Sequence, residues 1–487
     1  MINMNGILPP EALFPTVISA SVPAPPLALP GGGHTPSPPV VWDEHDVEHE
    51  ALLNSLVQTI QHFFGGITSI FSAVEDPRVA GKCDYPLTPL LMTGVLMFIC
   101  RLGARRQIAL RLRNSRGTRK MKVLFGVEAV PHGDTINDAF ERLEPDQVQE
   151  VVCSMVEKLI RNKVLDRYRF LGRFVIAVDG TGLWTFTARH CEHCLTKTHG
   201  NQTVYYHNTL EAKLVTTDGF AFSLMTEFIE NNGPNQTKQD CELRAFYRLA
   251  ERLKKRFPRL SLLFTLDGLY AVGPVFDLCD RFDWKYLAVL KDESLKSVNR
   301  EFASLSKLQP ENRITVRRDK RVEKFSWVND IDYTDTDGLA HKVHVLQCDR
   351  TDTSTSKTKT STHRWVGNVK ISQDRAMDVA EEGGWIRWKI ENEGFNEQKN
   401  RGYGLEHAYS KNHIAAKVFY FLLQIAHMIS QLLEKGSLLR KSFPKGLGSA
   451  KNLAHGLLEA WRNLSVWTAE ALSQLLQVRI QIRLDST

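Results

Sequence analysis

The chain has 487 residues, a mass of 55.3 kDa and a formal net charge of +7. Its 43% hydrophobic and 24% charged residues are ordinary for a folded globular protein and exclude a wholly disordered, collagen-like or membrane-embedded chain. Eight cysteines in this length are too few for a disulfide scaffold and point to a reducing compartment.

Residues 1–41 carry ten of the twenty prolines together with Gly31, Gly32 and Gly33. Such a segment buries too little apolar surface to offset its ordering entropy, which predicts a disordered Pro-rich tail. The first residues lack a charged region leading into an apolar one, as secretion requires. The longest apolar run, Leu90 to Cys100, is too short to cross a bilayer. A soluble cytoplasmic protein with no membrane partner is expected.

Residues 42–165 read as a helical region. Leu52, Leu56, Ile60, Phe63 and Phe64 recur at helix spacing within 44–75, a second helix is predicted over Leu87–Arg101, and a third over Thr135–Asn162 behind an Asp134 N-cap. Between them, residues 101–122 hold nine Lys or Arg and no acid, so the rest of the chain is close to neutral. Each neutralised phosphate releases counterions, which makes Arg101, Arg105, Arg106, Arg111, Arg113, Arg116, Arg119 and Lys120 the candidate DNA-binding residues.

From residue 166 the texture turns to strands. Phe174–Gly182 is a β-rich apolar run ending at an Asp, and strands near 204–216 and 219–230 form a hairpin at Asp218-Gly219. A charged helix over 238–256 leads to a buried strand that ends at Asp267-Gly268, and Trp284–Lys291 supplies a fifth strand. Residues 301–372 contain four alternating stretches typical of antiparallel strands with one wet face. Helical patterning resumes at 373 and continues to the end, strongest over 413–435. No G-x-x-x-x-G-K-S/T, H-E-x-x-H or G-x-S-x-G pattern occurs, which weighs against a P-loop ATPase, a zincin and an α/β-hydrolase.

Asp179 and Asp267 each end an apolar run and each precede a glycine. An acid at the C-terminal end of a buried strand stands on the rim of an open α/β sheet, where ligands bind. Two carboxylates brought together there repel each other and favour a hard divalent cation. A third acid is sought on the later stretch 385–400, where Arg387 and Glu391 are four apart and share a helix face. Glu393, two residues on, points nearly the other way.

Asp-Gly-Thr-Gly after one strand, Asp-Gly-Leu-Tyr after another and Arg-Trp-Lys-Ile-Glu on a helix together resemble the DDE transposases of bacterial insertion sequences. The resemblance is to the group with a β-strand insertion before the Glu and a Tyr-Arg-Glu-Lys signature, and it spans residues 130–435. The intervals of 88 residues from Asp179 to Asp267 and 124 from there to Glu391 suit that organisation. In this chain the signature Tyr position holds Gly384 and the Lys position Gln398, with Lys399 one residue late.

The resemblance implies an RNase H-like mixed five-stranded sheet flanked by helices, with Asp179, Asp267 and Glu391 as catalytic residues holding two Mg²⁺ or Mn²⁺ ions. Arg387 and Lys399 would support them. It also implies a core at 166–300, an antiparallel β insertion at 301–372, a Glu-bearing part of the core at 373–435 and a C-terminal helical region at 436–487. The partners would be transposon-end DNA and target DNA, bound by a nucleoid-associated homodimer. The rival readings are an RNase H-like nuclease or resolvase without strand transfer, and an inactive DNA-binding relic.

Three further signals remain. Cys191 and Cys194 have C-x-x-C spacing near His199, three of the four ligands that tetrahedral zinc requires. Trp327 and Trp365 are aromatic candidates for stacking on an unpaired base. Asp240 and Glu242 open the helix that follows the hairpin, where acids complement the helix dipole.

Overall fold

Among the described residues, five α-helices precede the first strand: α1 (Glu44–Phe64), α2 (Leu87–Ile99), α3 (Ser115–Phe125), α4 (Gly133–Phe140) and α5 (Pro145–Arg161). The computed structural model describes residues 44–66, 68–188, 190–231, 239–354, 358–464 and 468–484. The Pro-rich 1–41 segment lies outside them. The helix expected over Thr135–Asn162 is two helices. Pro145 opens the second, its fixed φ and missing N–H suiting a first turn, and the first is capped by His132 rather than Asp134.

The strands and helices that follow are β1 (Phe174–Phe186), β2 (Leu195–His199), β3 (Gln202–Val215), β4 (Ala221–Ile229), α6 (Glu242–Arg256), β5 (Leu262–Leu266), α7 (Gly273–Arg281), β6 (Lys285–Val289) and α8 (Lys296–Leu308). A run of four strands then comes in sequence, β7 (Arg313–Arg318), β8 (Arg321–Thr334), β9 (Ala340–Asp352) and β10 (Lys359–Gly367). The chain ends in helices: α9 (Ala376–Asp378), α10 (Asn396–Asn400), α11 (His413–Lys435), α12 (Ser437–Ser442), α13 (Ala450–Asn463) and α14 (Ala469–Gln477).

All ten strands join one mixed sheet. In its middle, β1 lies between β3, antiparallel to it, and β5, parallel to it. β6 is parallel to β5, and β4 closes the other side against β3. The sequence suggests five core strands followed by a β insertion. β10 pairs antiparallel with β6, so the strands of 313–367 extend the same sheet. The pairing satisfies the backbone groups that β6 would otherwise expose at an edge.

The apolar helix α11 is long enough to cross a membrane by length and composition, yet 94% of its most apolar stretch is buried inside the protein. It packs against α2 so closely that a Cβ on Gly94 would stand 2.6 Å from the Leu422 side chain. Beneath the sheet it also meets an ion pair, Lys213 with Glu211 at 3.1 Å, both fully buried. Ser223, Thr226 and the Tyr420 hydroxyl donate to Glu211, and Lys213 donates to Gln424. Every charged end is thereby paired, as burial at that depth demands.

Candidate active site

β1 and β5 pair in parallel from Phe174 opposite Leu262 to Ala177 opposite Thr265. The same offset separates Asp179 from Asp267, so the two acids leave adjacent strands at one level. Neighbouring strands lie about 4.8 Å apart, which sets the two carboxylates on one rim. β1 runs on past Asp179 because β3 still holds its other edge, with Glu211 opposite Asp179. β5 stops at Leu266, and Asp267 turns into the short Gly268–Tyr270 helix.

Glu391, the candidate third acid, lies on the 376–400 segment, which alternates wide and tight helical turns. Wide turns at Val379–Gly384 and Ile390–Phe395 flank a tight one at Trp385–Arg387, and such local widening is common at functional sites. The Arg387 Nη1 reaches the Asp179 Oδ2 at 3.1 Å. Burial pushes the Asp179 carboxyl up to about 6. Arg387 opposes the rise, while the negative charges of Glu242 and Glu391 reinforce it. Glu391 therefore acts on Asp179 through space. Glu393 instead pairs with Lys389 at 2.7 Å and lies beside Gly219 in the β3–β4 turn.

Sequence reasoning left Glu242 as a helix-end acid. Its carboxylate approaches β1 from beside Gly180, where a Cβ would stand 2.5 Å from Glu242 Oε2. The Tyr270 hydroxyl donates to Glu242 Oε1 at 2.7 Å. Burial raises that hydroxyl's pKa above the ordinary tyrosine value, and Glu242, Asp179 and Asp267 all add to the effect. The signal that could have exposed Glu242 is the glycine after Asp179, which leaves the space a side chain would fill. Asp240, by contrast, is engaged by Arg248 at 2.6 Å.

A cleft of about 720 Å³ opens beside Asp267, lined also by Lys291, Arg364, Trp365, Arg387 and Trp388 among others. Lys291 stands 3.7 Å from Asp267. Trp388 is 55% exposed. Trp327 and Trp365, the aromatics singled out for stacking, are buried instead, and Trp365 packs edge-on against Trp385. Gly384 cannot carry the signature Tyr, since a Cβ there would come within 2.5 Å of the Trp365 ring. Gln398, at the signature Lys position, is buried and donates to Gln424. Lys399 pairs with Glu406 at 3.2 Å.

The basic stretch divides in two. Arg106, Arg111, Arg113, Arg116 and Arg119 are exposed. Arg105 donates to the Gly133 carbonyl at 3.3 Å. The guanidinium of Arg101 stacks 3.5 Å over the Tyr403 ring and donates to the Arg401 carbonyl. Lys120 is buried and donates to the carbonyls of Trp461 and Leu464 at the end of α13. These two basic residues are spent inside the protein. At the C-x-x-C turn, Cys191 and Cys194 come together with His207 of β3. The side chain of His199 lies outside the described residues.

Residues 68–156, which include the whole basic stretch, match the family model described as DDE_Tnp_1-associated. No curated protein matches the chain. A DDE_Tnp_1-associated domain implies a transposase-related function and suggests a DDE-type transposase. The matched residues end before Asp179, so the match bears on the helical region and not on the three acids.

Proposed function

We propose that this protein is a DDE transposase that cuts transposon-end DNA and joins it to target DNA. The observation that carries the reading is that Asp179 of β1 and Asp267, one residue past the end of the neighbouring parallel strand β5, stand at the offset set by the strand register, with Arg387 of the Glu391-bearing segment reaching Asp179. The β4-β3-β1-β5-β6 order, with β3 alone antiparallel to both its neighbours, supports an RNase H-like core.

The donor set suits hard divalent ions: three carboxylates, two of them facing the cations Arg387 and Lys291. Asp179, Asp267 and Glu391 would hold two Mg²⁺ or Mn²⁺ ions, which when bound polarise the scissile phosphate and stabilise the attacking and leaving oxygens. The chain's own residues bind and orient. Arg387, which lines the cleft, offers a guanidinium donor to a phosphate oxygen. Lys291 and Arg364 line the cleft with positive charge, and Trp388 presents an aromatic face. Hydrolysis breaks a phosphodiester P–O bond and frees a 3′-hydroxyl. In the second step that hydroxyl attacks target DNA in line, one P–O bond forming as another breaks. Positioning and charge suffice for such transfers.

The exposed arginines of 106–119 would grip the transposon end. Joining two ends to one target calls for a homodimer on DNA. The test is incubation of pre-cut end duplexes with a supercoiled target plasmid and Mn²⁺. Joined end–plasmid products, lost in Asp179→Asn, are expected. Nicked plasmid without joined ends would replace this reading with that of a nuclease or resolvase. End binding with no metal-dependent cleavage would leave an inactive relic.

A further inference from the structure

β2 is a five-residue edge strand at the end of the sheet, reached from β1 through a connection that includes the turn Cys191–Cys194. That turn is held tightly. The Cys194 N–H donates to the Cys191 carbonyl at 3.4 Å, and the Asn231 N–H donates to the His193 carbonyl at 3.0 Å. The Asn231 side-chain amide donates to the Cys194 carbonyl at 2.8 Å. The turn points both sulfurs at one imidazole. Cys191 Sγ and Cys194 Sγ are 3.6 Å apart, and each lies 3.2 Å from His207 Nε2.

Zinc bonds of about 2.3 Å to sulfur and 2.0–2.1 Å to nitrogen place ligand atoms about 3.5–3.8 Å apart at tetrahedral angles. The sulfur–sulfur edge falls in that range, and the two sulfur–nitrogen edges need open by only about 0.3 Å to complete the face of a tetrahedron around one ion. The sulfurs are unbonded to each other, and all eight cysteines are free. Two thiolates and a neutral imidazole cancel the double charge of one zinc ion. Thiolates are soft ligands, which favours zinc over the hard ions that suit the carboxylate rim. Cys194 and His207 are buried. Cys191 and His207 line a cavity of about 570 Å³ that also touches Trp184, His190 and Ser410, so the fourth position opens toward solvent.

We propose that Cys191, Cys194 and His207 bind one zinc ion, with a water as fourth ligand on the cavity side. The ion fastens the β1–β2 connection to β3. His207 sits where the β1–β3 register shifts, between the pairs Gly182–Asn208 and Thr185–Tyr206. A metal link there secures the part of the ladder that lacks regular pairing, along the same strand that carries Asp179. The assignment does not depend on the reaction the acids perform.

The test is zinc content of the full chain, incubated with ZnCl₂ and reductant, desalted and checked for folding by circular dichroism. About one zinc per chain is expected. Co²⁺ in its place should give a thiolate charge-transfer band and tetrahedral d–d absorption. Cys194→Ser and His207→Ala should lose the zinc and the cobalt spectrum, while His199→Ala and Cys241→Ser keep both. Should the ligand variants not fold, the wild-type chain still decides: two thiols should resist a thiol reagent until a chelator is added, and thermal stability should fall with chelation. Folded wild-type protein holding no zinc above the buffer blank overturns the site. Zinc retained in His207→Ala, or lost in His199→Ala, overturns the ligand set.

Discussion

The Arg387 guanidinium lies 3.1 Å from the Asp179 carboxylate, with both side chains largely buried. The guanidinium partly neutralises the acid that the proposed mechanism assigns to a divalent ion, so cation and metal compete for the same oxygens. Arg387 also lines the cleft, where its guanidinium can donate to a substrate phosphate. The two roles pull in opposite directions and can be separated. Arg387→Ala should lower the Mn²⁺ concentration needed for half-maximal cleavage, because Asp179 no longer faces a fixed cation. It should also reduce the maximal rate by about ten- to a hundredfold, because a donor to the phosphate is lost. A metal titration of the cleavage rate reads both quantities. Unchanged values of both would remove Arg387 from the site.

Glu391 and Glu393 are a stringent pair for substitution, being two residues apart and both acidic. Glu391 acts on Asp179, whereas Glu393 is paired with Lys389 and lies against the β3–β4 turn. Glu391→Gln should abolish metal-dependent cleavage while end binding, followed by gel shift, stays within about twofold. Glu393→Gln should cut normally and lose only the small stabilisation of a half-exposed ion pair, about 0.3–0.5 kcal/mol. The reverse pattern would move the third acid to Glu393.

The strands and acids that the sequence reveals are those set by local pattern. An apolar run followed by Asp-Gly reads as a strand and its turn without knowledge of its neighbours, and β1 and β5 follow that rule. What local pattern cannot supply is pairing across distance. The common level of Asp179 and Asp267 depends on the register of two strands. The merging of the insertion with the core sheet depends on β10 finding β6. Charge is visible in a sequence but burial is not. Arg101 and Lys120 read as part of a basic surface, yet the Lys120 acceptors lie 341 and 344 residues away in the chain. For the same reason His199, a few residues after the two cysteines in the chain, reads as their partner. The hairpin that brings His207 of β3 to them shows only once β2 and β3 are paired.

The division of the basic stretch predicts two kinds of mutant. Arg106→Ala, Arg111→Ala and Arg113→Ala remove exposed charges. Each should weaken binding to end DNA and, where a phosphate contact is lost, lower the slope of log K against log salt by about 0.9. Arg101→Ala removes a guanidinium stacked on Tyr403. It should lower thermal stability and leave the salt slope unchanged. Fluorescence anisotropy across a salt series, with a melting curve for each variant, tells them apart. A reduced salt slope in Arg101→Ala would show that Arg101 reaches DNA after all.

Lys120 gives a pH signature of its own. Its ammonium is buried beneath the C-terminal end of α13, and burial pushes its pKa down to about 7, with Arg116 and Arg119 adding to the fall. The unfolded chain holds that proton up to about pH 10.4. Between pH 7 and 10 the unfolded state therefore binds more protons than the folded one, and this residue's contribution to stability rises with pH. Below pH 7 both states are protonated and the contribution is flat. Burial also pushes the thiols of Cys100 and Cys153 up to about 12, which acts in the opposite sense as pH rises beyond about 8.5. The wild type must therefore be compared with a variant that changes Lys120 alone. Lys120→Met should cost about 1–3 kcal/mol near pH 7, since the Trp461 and Leu464 carbonyls lose their donor. The stability difference between wild type and variant should widen from pH 7 to 10, by at most about 1.4 kcal/mol per unit. Urea denaturation of both proteins across that range measures it, and a difference that stays constant would mean that Lys120 keeps its proton in the fold.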